Sequence, residues 1–121
     1  LTFVACGETV APAVAAADSL AAEGITCRVL SMHTLKPLDA AAVLAAAVET
    51  RAVITVEEHS VHGGLGEACA AVLLQVGAFV PFRIVGFPDA YMVTGSQADI
   101  FAHYGISPGG LAATARALLS C

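Results

Sequence analysis

Ala52-Val53-Ile54-Thr55-Val56-Glu57-Glu58-His59-Ser60-Val61-His62-Gly63-Gly64-Leu65-Gly66 moves from a β-branched run, through a polar and glycine-punctuated stretch, into an alanine-rich segment. Ala52 to Val56 reads as a buried strand, and Gly63 to Val76 as the helix that follows it. The same alternation repeats on both sides. Leu1 to Cys6 is a short apolar run ended by Gly7, and from Thr9 to Glu23 the residues Val10, Val14, Ala17 and Ala21 recur at helical spacing before the stop at Gly24. Ile25 to Ser31 is a second strand, after which Asp39 stands where it can cap a helix running through Val48. Phe82 to Val85 is a fourth strand, and Gln97 to His103 and Gly109 to Leu119 are two closing helices. Strands alternating with helices over short connections predict a three-layer α/β/α domain, doubly wound around a parallel sheet of four strands in the order 2-1-3-4. In that order the crevice lies where the loops after the first and third strands meet. Those loops are Gly7-Glu8-Thr9 and Glu57 to Gly66.

The chain of 121 residues has the length of one domain, so residues 1–121 are read as a single unit. It is 58% hydrophobic and only 12% charged, yet its apolar stretches are interrupted too often to cross a bilayer. A formal net charge of -5, with Arg28, Lys36, Arg51, Arg83 and Arg116 scattered, gives no nucleic-acid footprint. Cys6, Cys27, Cys69 and Cys121 form no CxxC pair and read as reduced thiols of a cytoplasmic protein. The chain opens on Leu1, directly in a core strand and without an initiator Met, and so reads as a piece of something longer.

Glu57, Glu58, His59, His62, Gly63, Gly64 and Gly66 are the candidate crevice residues, joined by Glu8 from the first loop. Two carboxylates and two imidazoles could supply acid–base groups or metal ligands, and the glycines would let backbone approach a ligand at a helix N-terminus. Against that, His59 and His62 sit three apart in a loop, no third ligand follows at a metal spacing, and GGLG is not a dinucleotide or P-loop fingerprint. Local capping by the glutamates, or a contact between subunits, outweighs catalysis. Glu8 reads more simply as charge at a helix start, and His33 as a surface residue on a turn. Phe87 and Tyr91, in the loop Gly86 to Tyr91, read as packing anchors. Cys6 with His59 as its base is the remaining nucleophile hypothesis, weighed against an inert thiol at a strand end.

Several of these segments, taken in order, resemble the C-terminal domain of the transketolase family: the strand leading into Cys6-Gly7-Glu8-Thr9-Val10, the turn Thr34 to Asp39, the stretch Ala52 to Ala68, and Phe82 to Ser107. The pattern looks closest to transketolases, including the split type made of two polypeptides. The β subunits of 2-oxoacid dehydrogenases and deoxyxylulose phosphate synthase share this terminal domain and stand as alternatives. The resemblance implies an enzyme that transfers a two-carbon ketol unit between sugar phosphates with thiamine diphosphate and Mg²⁺. It also implies that the cofactor is held by a thiamine-diphosphate-binding domain and a pyrimidine-binding domain elsewhere in a homodimer. No GDG followed by paired asparagines occurs here, so no catalytic, cofactor-binding or metal residue is carried over to this chain. Family members usually have a further antiparallel strand ahead of this region, whose absence would leave a sheet edge open. Two readings from other classes remain beside it: a stand-alone interaction module built on the alanine-rich helices, and a small enzyme using Cys6, Glu57 and His59.

Overall fold

The computed structural model describes all residues from Leu1 to Cys121. Strand β1 (Thr2–Ala5) is followed by a single 3-10 turn, Gly7–Thr9, and helix α1 (Val10–Ala22). Then come β2 (Arg28–Ser31), α2 (Ala40–Glu49), β3 (Val53–Ser60), α3 (Leu65–Gln75), β4 (Phe82–Phe87), α4 (Gln97–His103) and α5 (Pro108–Leu119). All pairings are parallel, in the order β2-β1-β3-β4 expected from the alternation. β1 and β3 are the inner strands, while β2 and β4 each pair on one side only.

The period of two along the inner strands sorts their side chains into two cores. Phe3, Ala5, Ile54 and Val56 face a layer that includes Ala13, Ala16 and Leu20 of α1 and Leu111 and Ala115 of α5. Val4 and Val53 face the opposite layer, with Val43 and Ala46 of α2 and Leu65, Cys69 and Leu73 of α3. Because both faces of the sheet are covered, β1 reads as a continuous apolar run instead of an alternating one.

The buried face of α1 differs from the expected one. Ala13, Ala16 and Leu20 point inward, and Val14 of the expected stripe is 44% exposed. The helix VAPAVAAADSLAA offers small apolar residues on every side, so its phase is carried by Leu20 and by how closely alanine lets the backbone approach the sheet. Asp39 caps α2 as expected, its carboxylate accepting the Ala42 N–H at 3.0 Å. Strand β2 begins three residues later than expected, because its pairing with β1 starts only at Thr2 opposite Arg28.

Two strands run further than the sequence suggests. β3 continues through Glu57, Glu58, His59 and Ser60, and β4 through Gly86 and Phe87. Where Val56 pairs with Val85 and Ser60 with Phe87, four steps along β3 match two along β4, so β3 carries a bulge of two extra residues opposite Gly86. Polar residues and a glycine hid these strand ends, which are held by backbone pairing and, at Phe87, by packing against the core.

The phase of α1 is directly testable. Ala16→Leu forces new methyl groups into a closed contact and is expected to cost about 1–3 kcal/mol of unfolding free energy in a urea titration, whereas Val14→Ala stays within about 0.5 kcal/mol.

Candidate functional site

The crevice forms where the loops after β1 and β3 meet. Cys6 N–H donates to the carbonyl of Val56 at 3.3 Å. The buried hydroxyl of Thr9 lies 2.9 Å from that same carbonyl and 2.8 Å from Cys6 O, and it accepts the Cys6 N–H at 3.2 Å. Thr9, not singled out from the sequence, ties the two loops together; its signal was a hydroxyl placed directly before a helix.

Glu57 is the centre of the arrangement. It is 1% exposed, and its two carboxylate oxygens accept the N–H of Leu65 at 2.7 Å and of Gly66 at 3.0 Å. Both donors open α3, whose N-cap residue, Gly64, has no side chain to satisfy them. A glutamate eight positions earlier therefore does the work of an N-cap serine or aspartate. Burying a carboxylate is costly, and charge-assisted hydrogen bonds with the positive end of the helix dipole offset that cost.

The glycines around it are there for room. A Cβ on Gly64 would fall 1.9 Å from Glu57 Oε2, one on Gly66 2.4 Å from Ile84 Cγ2, and one on Gly86 2.8 Å from the carbonyl of His59. Gly86 sits under the bulge of β3 and, like Thr9, was not singled out as a site residue. Gly63 instead takes a positive φ of 75°, which turns the chain back towards α3.

His59 and His62 do not converge. The Nδ1 of His59 lies 2.7 Å from the carbonyl of Ser60 and 3.7 Å from Glu57 Oε2, too far for a hydrogen bond to the carboxylate. His62 Nδ1 stands 3.4 Å from Glu67 Oε1, and Glu67 Oε2 accepts the Gly63 N–H at 2.8 Å. The Gly63 N–H and then His62 hold the Glu67 carboxyl below its ordinary range. Glu58 points outward, both its oxygens 3.1 Å from the side-chain amide of Gln97, another residue the sequence reading missed. Glu8 is exposed on a separate depression beside Pro12, Phe101 and Pro108, with no hydrogen bond or ion pair to Glu57 or His59. His33 is exposed as expected, its Nδ1 2.6 Å from the Thr34 hydroxyl. Tyr91 corrects the expectation of a packing anchor: it is 104% exposed, while Phe87 meets Tyr104 edge-on at 5.3 Å.

The nucleophile hypothesis loses its support here. Burial, and then the nearby Glu57 carboxylate, push the Cys6 thiol up, the opposite of an activated thiolate. Cys69 beneath α3 is pushed up to about 12 by burial, with Glu57 and Cys6 adding to it. All four cysteines are free. No three His, Cys, Asp or Glu side chains converge to hold a metal ion, and no helix is long and apolar enough to cross a membrane. The α3 N-terminus, the natural place for a diphosphate at this crevice, is already filled by the Glu57 carboxylate. The residues of this chain therefore do not fit a site for thiamine diphosphate or Mg²⁺.

These features define a doubly wound α/β domain whose switch-point crevice is sealed by an internal carboxylate. The family model for the transketolase C-terminal domain matches residues 1–111, and the chain belongs to that family. It is 47% identical over 115 residues to one subunit of the apulose-4-phosphate transketolase of Phocaeicola vulgatus, covering 95% of this chain and 36% of the relative. It is 39% identical over 118 residues to 1-deoxy-D-xylulose-5-phosphate synthase of Heliobacterium modesticaldum, covering 98% of this chain and 18% of the relative. Among solved structures, an inactive β4 tetramer of a split-gene transketolase superposes with a TM-score of 0.86 at 40% identity, covering 98% of this chain and 38% of that one. The chain thus spans about a third of the transketolase subunit and under a fifth of the synthase.

Four variants probe the Glu57 cap and its neighbours. Glu57→Ala leaves two buried N–H groups unpaired and lowers unfolding free energy by about 3 kcal/mol or more in urea titration. Gly64→Ala shifts the midpoint in the same direction, whereas Glu57→Gln, which keeps one acceptor, costs less. Glu67 contributes stability that is in place above the ordinary glutamate range and is lost as pH falls through its depressed value. Thermal melts of Glu67→Gln below about pH 4.3 are therefore expected to show a shallower loss than the unmodified chain.

Proposed function

We propose that this chain is the C-terminal domain of a thiamine-diphosphate-dependent transketolase of the split type, an enzyme that moves a two-carbon ketol unit between sugar phosphates. The observation that carries the reading is the match of 95% of this chain to part of a transketolase subunit, 47% identical over 115 residues. Another relative, a subunit of 6-deoxy-6-sulfo-D-fructose transketolase from Clostridium sp. strain MSTE9, supports it at 43% over 107 residues. In this reading the cofactor and Mg²⁺ lie on a thiamine-diphosphate-binding domain and a pyrimidine-binding domain outside these residues. This domain organises a homodimer in the cytoplasm, where its four cysteines stay reduced. Its contribution is positional: the Glu57 cap and the Thr9 tie hold the crevice loops, with Glu8, Glu58, His59 and His62 exposed around them as contacts to neighbouring domains.

The match to 1-deoxy-D-xylulose-5-phosphate synthases, 39% over 118 residues, favours a second reading in which the parent enzyme makes that product. One reconstitution separates the possibilities. The full parent polypeptide, mixed with its companion, thiamine diphosphate and Mg²⁺, is expected to transfer a two-carbon unit between sugar phosphates, while calorimetry finds no micromolar cofactor binding to residues 1–121 alone. Formation of 1-deoxy-D-xylulose 5-phosphate from a triose phosphate and pyruvate, with release of carbon dioxide, in a parallel mixture supplied with both would favour the second reading. Micromolar binding of thiamine diphosphate to this domain by itself would overturn both.

A further inference from the structure

We draw no further inference here: the strongest candidate, the apolar depression between the end of α3 and the start of β4, where Leu74 and Phe79 stand exposed, carries nothing because nothing in the structure shows what covers it.

Discussion

A single buried carboxylate governs the carboxyl end of this sheet. Glu57 leaves β3 inside the bulge, turns under α3 and closes the first two free N–H groups of that helix. Other features follow from placing a charge there. Gly64 must lack a side chain because the carboxylate occupies its space, and Gly86 must lack one because the bulged backbone leans over it. Cys6 and Cys69 are held as neutral thiols partly by the same negative charge. An internal anion sits where doubly wound domains commonly present open N–H groups to a ligand. Glu57, a candidate for chemistry in the sequence, serves in the structure as the cap of α3.

The two sides of the sheet are built differently. Beneath α1 and α5 the core is large side chains from the strands, such as Phe3 and Ile54, received by alanines on the helices. Alanine lets helix backbones come close, which gives tight packing without bulk. The opposite layer, under α2 and α3, is smaller and mixes Cys69 and Met32 with aliphatic residues. It also holds Glu57 near its rim, so the thinner core is the one that carries the buried charge.

Strand order and the crevice's position were legible because they depend on the alternation of apolar runs with helical ones, which the sequence displays openly. The Asp39 cap was legible for the same reason: a side chain acting within three residues leaves a local mark. The face of α1 was not, since thirteen residues dominated by alanine give little moment from which to read a phase. Nor was the role of Glu57 against Glu58, adjacent carboxylates with opposite fates. The alternation of β3 turns one inward and the other out, and it could not be applied to them because the strand reads as ending at Val56. Thr9 and Gln97 escaped notice because each acts on a residue distant in sequence, Val56 and Glu58 respectively.

The bulge also sets a rule of parity. Side chains alternate along a strand, so the two extra residues of β3 return the chain to the phase it left, and Ser60 meets Phe87 as Val56 meets Val85. One residue inserted between Val56 and Glu57 would exchange inside for outside from that point on, turning Glu57 away from the helix. A length change ahead of Glu57 therefore keeps the cap in phase only when it comes in pairs. The short stretch of chain that looks most like a variable loop is among the most tightly counted in the molecule.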